Sequence, residues 1–486
     1  MSNFKNLTIL HSNDIHGDFV FEEIDGIKHG GISLLSGYVQ KARKEERNAL
    51  YVIAGDMIRG SIIDSEYKGI STIELLNMLA PDVVSLGNHE VDYGLTHLLF
   101  LEKCANFPII NANMYITTNH ARLFNSHKII ELDGMNILFI GILTEDVLAS
   151  TKQDTLIGSV FDVREAAEEV GKICNSYKSV DIDFTILLTH IGFEKDKELA
   201  EQLDSRYGVD LIIGGHTHTL LERPLEINGI PIVQAGSGSK QIGRFDIIVN
   251  TDTNDIHDYT WRMVDLRDDQ VPIDHQLEDI VNHYRKETDK KYQRIITRFV
   301  DEYTHPQRNA ETDLGKLFAD VFKDVFGVDI VFLGSGSIRG EKMGPIVLYQ
   351  DLMEVFPYND ENYSIHVTGA QLRTMVKHIL RDDAFIGETE FYQFSRGLRI
   401  EYDSQSKELI SLSLKGKEVK DDDMLSLALQ IFHLNSIKEF LNVTLEEVTL
   451  NKKPKLLTSS ETDLLEEYLS THDLIRAPEE RRLIIR

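Results

Sequence analysis

Short apolar, β-branched runs alternate with polar turns and amphipathic segments along the first half of the chain. Several of these runs are continuously apolar over roughly four to eight residues, which is typical of strands buried on both faces of a sheet. The pattern also predicts helices at residues 31–44 and 162–177. Strands that alternate with helices in this way indicate an α/β fold. The predicted strands cover residues 7–11, 50–54, 83–86, 109–111, 136–142, 184–189, 209–213 and 231–235.

The pattern changes after this region to a polar, charge-rich helical stretch. It carries little apolar surface that could form a core, so we interpret it as a connector between domains. A second α/β pattern follows it, and its last part, residues 441–486, is predicted to be helical and charged. The chain is thus predicted to consist of a first domain at 1–266, a linker helix at 267–298 and a second domain at 299–486.

Composition narrows the classes of function that the chain can have. Its 486 residues include 79 acidic and 51 basic side chains, a formal net charge of −28, which excludes a broad basic surface for a nucleic-acid polymer. Two cysteines exclude a disulfide framework and a Cys-rich metal site. No apolar run approaches the roughly 18–20 residues that cross a bilayer, and no signal-peptide pattern precedes the first strand. We therefore expect a cytoplasmic protein without a membrane partner; the sequence indicates no oligomeric state.

Five of the predicted strands are followed within a few residues by Asp, Asn or His. Open α/β sheets place their ligand sites at these strand ends. Imidazole and carboxylate groups suit Zn, Mn, Fe or Co, and the residue types fit a site for two metal ions. The residues concerned are Asp14 and His16, then Asp56, then Asn88, His89 and Asp92, then His190, and finally His216 and His218.

Each of these fragments by itself is also compatible with an ordinary structural role. Asp14 and Asp56 could belong to hydrogen-bonded turns, His190 could be a buried histidine with satisfied hydrogen bonds, and residues 216–218 could be a polar loop tip. All five fragments occur in this order and at strand ends, which favours the metal site. Other catalytic motifs are missing: there is no P-loop, and Arg339 stands where a dinucleotide-binding motif needs its third glycine.

The ordered set Asp-x-His, Gly-Asp, Gly-Asn-His-Glu, His and Gly-His-x-His resembles the calcineurin-like metallophosphoesterases. Within them, the second half of the chain resembles the 5′-nucleotidase/2′,3′-cyclic phosphodiesterase family, at residues 308–315, 334–339, 350–359 and 368–372. The resemblance extends over roughly residues 6–440. It implies a four-layer α/β/β/α metallophosphatase domain and a smaller α/β 5′-nucleotidase C-terminal domain.

The resemblance also implies a role for each candidate residue. Two divalent metal ions (Zn, Mn, Co or Fe) are expected, the first held by Asp14, His16, Asp56 and His218 and the second by Asp56, Asn88, His190 and His216. Asp56 would bridge the two ions. His89 and Asp92 match the family's catalytic dyad. Arg308 and Arg339 match arginines that bind the substrate phosphate, and Tyr358 matches an aromatic ring that stacks on the nucleobase.

The chain departs from the family pattern in the segments that the resemblance assigns to nucleoside binding. Gly334 stands where the family usually has Asn, and Asn359-Asp360 stands where Gly-Asn is commoner. The Gly-Gly-Asp-Gly segment is missing, and Phe432 is the nearest candidate for the second stacking ring. The sequence therefore predicts a di-metal phosphoesterase that hydrolyses nucleotide phosphoesters as a 5′-nucleotidase does. Hydrolysis of 2′,3′-cyclic nucleotides, hydrolysis of nucleotide-sugar or dinucleotide pyrophosphates, and a non-catalytic metal-binding regulatory role stay open as alternatives.

Overall fold

The computed structural model describes residues 4–116, 118–145, 157–160, 162–387 and 389–486. The chain divides into two compact units, Met1–Thr288 and Asp289–Arg486. The helix His275–Tyr292 crosses this division and is shorter than the predicted linker. Leu277 and Val281 of the helix are buried in the core of the first unit. The helix therefore contributes more core surface than its polar sequence predicted.

Two six-stranded sheets form the framework of the first unit. In each sheet four neighbouring strands are parallel and antiparallel strands complete the edges. The strand order of the first sheet is Asp255–Asp265, Gln241–Asn250, Phe4–Ser12, Ala49–Ala54, Val83–Ser85 and Ile109–Ile110. The order of the second sheet is Leu225–Ile227, Ile230–Val233, Leu211–Ile213, Phe184–His190, Met135–Leu143 and His127–Leu132.

Alternating side chains of these strands place the two sheets between two layers of helices. Ile9 and Ile137 point into a core shared by the two sheets. Leu10 packs with helices on the outer face of the first sheet, and Leu138 packs with helices on the outer face of the second. Because successive side chains of a strand point to opposite faces, continuous apolar runs are what such doubly covered sheets require. The four-layer α/β/β/α prediction is confirmed.

The helices of the first unit lie between its strands, as the pattern predicted. Several begin at a polar cap; Ser61 and Asp162, for example, accept backbone N–H groups of the first helical turn. Among the described residues before the linker, the helices are Ile32–Glu45, Ile62–Tyr67, Ile70–Leu79, Leu95–Cys104, Val163–Ser176 and Phe193–Gln202, with 3₁₀ turns at His89–Val91 and Ser205–Tyr207. Two small antiparallel pairs join Glu22–Ile24 to Ile27–His29 and Met114–Ile116 to Ile157–Val160.

The second unit contains a five-stranded and a four-stranded sheet. The first has the order Tyr392–Phe394, Ile330–Gly334, Met424–Gln430, Asn362–Thr368 and Lys455–Thr458; the second has the order Lys417–Glu418, Glu408–Leu414, Leu398–Asp403 and Leu483–Ile485. Two short pairs join Ile295–Arg298 to Ile346–Leu348 and Tyr303–Thr304 to Lys342–Met343. Its helices are Asp313–Phe326, Tyr349–Val355, Gly369–Ile379, Asp382–Phe385, Ile431–Asn435, Ile437–Leu441, Leu445–Asn451 and Glu461–Thr471, with a 3₁₀ turn at Ser335–Ser337. No helix in the described part of the chain is long and apolar enough to span a bilayer.

Residues 441–486 are part of the core of the second unit and are not only helical. Lys455–Thr458 is an edge strand of the five-stranded sheet, and Leu483–Ile485 pairs in parallel with Leu398–Asp403. Arg482 is 1% exposed and donates a 2.6 Å hydrogen bond to Asp320. The prediction of a wholly helical segment was wrong because short strands completed by distant partners carry little local pattern.

Candidate metal centre

The candidate ligands lie at the carboxyl ends of strands in both sheets of the first unit. In the first sheet, Phe4–Ser12 leads to Asp14 and His16, Ala49–Ala54 leads to Asp56, and Val83–Ser85 leads to Asn88. In the second sheet, Phe184–His190 ends at His190, and Leu211–Ile213 leads to His216 and His218. The site is therefore assembled across two sheets, a feature that the strand pattern alone did not predict.

A first group of candidate ligands consists of Asp14, His16 and His218, whose ligand atoms lie within 4.8 Å of one another. The Nε2 atoms of His16 and His218 are 3.1 Å apart. Nε2 of His218 lies 3.4 Å from Oδ1 of Asp14. Three electron-pair donors from two loops thus lie around one small volume.

A second group consists of Asp56, His190 and His216, whose ligand atoms also lie within 4.8 Å of one another. Oδ2 of Asp56 is 3.0 Å from Nε2 of His190 and 3.7 Å from Nε2 of His16 in the first group. Oδ1 of Asn88 lies 2.8 Å from Nδ1 of His216. Asp56 therefore stands between the two groups, where a carboxylate can serve both.

The orientation of two imidazoles shows that these groups fit metal ions. Nδ1 of His190 is 2.8 Å from the carbonyl oxygen of Ala54, and Nδ1 of His16 is 2.9 Å from that of Arg59. A carbonyl oxygen only accepts, so each Nδ1 carries the proton and, in a neutral ring, each Nε2 carries a lone pair. Nε2 of His190 is buried and has no partner that meets hydrogen-bond criteria. Imidazole and carboxylate donors without thiolate suit a borderline divalent cation.

The charges of the site favour a cation as well. Burial alone would lower the pKa of His190, but the negative charges of Asp56 and Asp14 outweigh burial and raise this pKa to about 9. Burial opposes ionisation of Asp56, yet the charge of the neighbouring His190 holds the pKa of Asp56 well below its usual range. The negative charges of Asp14 and Asp56 thus favour a bound cation at this place.

The backbone of the site is strained in the way that a preorganised centre requires. Five of the seven candidate ligands have positive φ angles, which side-chain-bearing residues rarely adopt: Asp14 (51°), His16 (51°), Asp56 (53°), His216 (82°) and His218 (53°). The chain also passes very close to Asp56 at Gly87, where a Cβ atom would lie 2.1 Å from Oδ1 of Asp56. Only glycine fits at this approach.

Two buried residues that the sequence analysis did not assign support the ligands. The Glu90 carboxylate accepts hydrogen bonds from the backbone N–H groups of Asp56 (3.1 Å), Met57 (2.7 Å) and Gly87 (2.6 Å). These bonds fix the loop that carries Asp56, the candidate bridging ligand. The Asn13 amide donates to Asp14 (2.7 Å) and accepts from the backbone of residue 235 (2.8 Å). Glu90 belongs to the Gly-Asn-His-Glu fragment. The signal that could have identified it is an acidic residue a few positions after a buried strand.

His89 and Asp92 form the pair that the sequence predicted. Nδ1 of His89 lies 2.8 Å from Oδ2 of Asp92, and the hydrogen bond to Asp92 is the main reason why the pKa of His89 is raised. The backbone N–H of His89 donates to Oδ1 of Asp56 (2.9 Å), which ties the pair to the metal centre. Arg59, which the sequence analysis did not single out, donates from Nε to the same Asp92 oxygen (3.2 Å).

The candidate substrate-binding residues lie in the second unit. Arg339 donates a hydrogen bond to the hydroxyl of Tyr358, and its guanidinium lies 5.2 Å from the centre of the Tyr358 ring. The structure therefore brings these two residues together. Tyr358 and Phe432 are 42% and 57% exposed, and Arg308 is exposed too, so all can contact a ligand.

Comparisons with known proteins match two parts of the chain. The family described as calcineurin-like phosphoesterase matches residues 7–220. The 5′-nucleotidase C-terminal domain matches residues 293–442. Together these ranges contain the two ligand groups, the His89–Asp92 pair and the three candidate substrate-binding residues, and the predicted family is confirmed.

Individual relatives cover most of the chain. The 5′-nucleotidase of Mus musculus is 27% identical over 448 residues, which is 82% of this chain and 76% of the relative. Endonuclease YhcR of Bacillus subtilis is 26% identical over 401 residues, which is 76% of this chain and 32% of the relative. The crystal structure of a 5′-nucleotidase precursor from Thermus thermophilus shares the fold, with a TM-score of 0.63, 20% identity and 99% coverage of each chain.

Proposed function

Since the chain belongs to the calcineurin-like metallophosphoesterases and carries a 5′-nucleotidase C-terminal domain, it is a metal-dependent phosphoric ester hydrolase, and we propose that its substrates are 5′-nucleotides. The observation that carries this proposal is the pair of ligand groups that meet at Asp56, directly beside the His89–Asp92 pair. A metal-binding protein without turnover has no use for a proton donor at this place.

In this proposal the ligand groups hold two divalent cations. One would be held by Asp14, His16, His218 and Asp56, and the other by Asp56 together with Asn88, His190 and His216. When bound, two such cations supply Lewis acidity toward the phosphoryl oxygens and a water of lowered pKa. The carbonyl contacts of His16 and His190 keep the inward nitrogens unprotonated once a cation replaces the proton.

His89 is proposed to act on the leaving oxygen. Asp92 holds the imidazole through Nδ1, so Nε2 is free to donate a proton to the departing nucleoside oxygen. The raised pKa of His89 keeps the ring protonated to higher pH, as an acid requires. Asp92 orients the ring and stabilises its charge.

The second unit is proposed to recognise the nucleotide. Arg308 and Arg339 would bind the phosphate, because guanidinium groups match phosphate oxygens in pairs. Tyr358, whose ring already contacts Arg339, would stack on the base. With the Gly-Gly-Asp-Gly segment missing, we expect contacts with base and ribose to be few.

Metal analysis followed by a substrate panel tests the proposal. The purified protein is assayed with 5′-AMP, 2′,3′-cyclic AMP, a dinucleotide pyrophosphate and p-nitrophenyl phosphate, and an Asp56→Ala variant purified in parallel reports contaminating phosphatase. We expect the highest kcat/KM with 5′-AMP. Preference for the cyclic nucleotide or the pyrophosphate would assign one of the alternative substrates, and metal binding without turnover of any of them would favour a regulatory role.

A further inference from the structure

A buried carboxylate, Glu461, lies at the start of the C-terminal helix Glu461–Thr471 and is 0% exposed. This helix lies beyond residue 442, where the match to the 5′-nucleotidase C-terminal domain ends. Burying a carboxylate is costly unless hydrogen bonds compensate, so its partners show what it is used for. Both partners are side-chain amides, namely those of Asn362 and Gln430.

Gln430 connects Glu461 to the loop that carries Arg339. The Gln430 amide donates to Glu461 (3.0 Å), and its oxygen accepts from the hydroxyl of Ser337 (3.1 Å) and the backbone N–H of Gly334 (3.2 Å). Residues 334–339 form the glycine-rich turn that ends at Arg339. A buried chain of hydrogen bonds thus runs from Glu461 to this turn.

The residues on either side of Glu461 bind the turn that carries Tyr358. The hydroxyl of Thr462 donates to the carbonyl oxygen of Tyr358 (3.2 Å). The side-chain oxygen of Asn359 accepts from the hydroxyl of Ser460 (2.7 Å) and from the backbone N–H of Thr462 (3.2 Å). Both turns are therefore tied to three consecutive residues of the C-terminal segment.

Gln430 also connects Glu461 to the segment that carries Phe432. Gln430 directly precedes the helix Ile431–Asn435, and Phe432 is an exposed aromatic residue of that helix. The hydrogen bonds of the Gln430 side chain to Glu461 and Gly334 therefore anchor the residue from which this helix continues.

We propose that Ser460, Glu461 and Thr462 are positioning residues that hold Arg339, Tyr358 and Phe432 in place for the substrate. This inference rests on the proposed function, in which Arg339 and Tyr358 bind the nucleotide. A network in which every member is hydrogen-bonded specifies one arrangement of loops, whereas apolar packing tolerates several. The C-terminal segment would thus fix the geometry of substrate loops that belong to the matched domain.

Glu461→Gln tests the network with little change in volume. Both partners of Glu461 donate hydrogen bonds, so a glutamine can satisfy one of them but must turn an N–H group toward the other. Asp463→Asn is the matched control, because Asp463 lies in the same helical turn, is exposed, and undergoes the same change from acid to amide. We expect Glu461→Gln to raise KM for 5′-AMP about tenfold, with kcat changed less than about twofold. Metal content and the kinetics of Asp463→Asn should stay unchanged.

Thr462→Val provides a second test that does not disturb the buried carboxyl group of Glu461. It removes the hydroxyl that holds Tyr358 and should raise KM for 5′-AMP but not for ribose 5-phosphate, which has no base; Thr462→Ser should restore the wild-type value. A purely structural role would lower the melting temperature and leave both KM values unchanged.

The outcomes separate this inference from the proposed function. Wild-type kinetics in Glu461→Gln and Thr462→Val would overturn the positioning role while 5′-AMP remains a substrate. If the wild-type protein does not cleave 5′-AMP, the proposed function fails, and the KM of Glu461→Gln for the best phosphoester of the panel decides the positioning role. A rise in that KM supports positioning through Arg339, and an unchanged KM overturns it.

Discussion

Replacing His89 by asparagine separates metal binding from proton transfer. The side chain of His89 belongs to neither ligand group, and only its backbone N–H contacts Asp56. That contact is independent of the side chain, so His89→Asn should bind both metal ions as the wild-type protein does. Asparagine has no proton to release at neutral pH, so the substitution removes the proposed general acid.

The size of the expected effect follows from the contacts of the imidazole. Asp92 holds Nδ1 at 2.8 Å and raises the pKa of His89, so the substitution removes an oriented proton donor. General acids contribute about 10²–10⁴-fold to rates, which corresponds to roughly 2.7–5.4 kcal/mol of barrier. For 5′-AMP, whose leaving oxygen is strongly basic, we expect a loss of kcat near the upper end of this range.

The assay compares two leaving groups. Initial rates are measured for 5′-AMP and p-nitrophenyl phosphate, with metal content determined on the same samples. The p-nitrophenolate ion leaves without help from an acid. The loss of kcat in His89→Asn should therefore be at least about tenfold smaller for p-nitrophenyl phosphate than for 5′-AMP. His97→Asn is the control, because His97 is a histidine of the same unit that contacts the carbonyl oxygen of Lys68. Equal losses for the two substrates would refute the assignment of His89 as the acid.

Four further predictions follow from the site. Asp56→Ala should lose both metal ions and all activity; elemental analysis that still finds two ions per chain would contradict the bridge. Gly87→Ala places a Cβ atom 2.1 Å from Oδ1 of Asp56 and should lose metal while circular dichroism shows an intact fold. Asp92→Asn removes the main cause of the raised pKa of His89; because the acid must be protonated, the pH above which kcat declines should move down, as a pH–rate profile would show. Arg339→Ala removes a charge-assisted contact worth roughly 1.5–3 kcal/mol and should lower kcat/KM about tenfold to a hundredfold at unchanged metal content; unchanged kinetics would remove Arg339 from substrate binding.

The sequence by itself predicted the strands and the ligand types of the metal centre. Buried strands need continuous apolar runs, and the polar residues that end them interrupt these runs, so both features can be read locally. Asp14, Asp56 and His190 were found in this way, each within a few residues of the end of an apolar run. The structure places all three within the two ligand groups.

Other features depended on the pairing of distant segments. Whether the strands form one sheet or two is decided by hydrogen bonds between strands far apart in sequence, and the local pattern is the same in both cases. The supporting role of Glu90 depends on a loop more than thirty residues earlier, since its partner Asp56 is separated from it by 34 positions. No periodicity encodes such a contact.

The second unit shows most clearly which features the sequence predicts and which depend on tertiary structure. The sequence identified Arg339 and Tyr358 as separate candidates, and the tertiary structure placed one over the other. Residues 441–486 carried no recognisable motif, yet Glu461 reaches Gln430 and Asn362 across 31 and 99 positions. The sequence determined which groups can do the chemistry, because that depends on side-chain type and on local burial pattern. Their distances, angles and supports were decided by tertiary structure alone, because a hydrogen bond between remote residues exists only once the chain has folded.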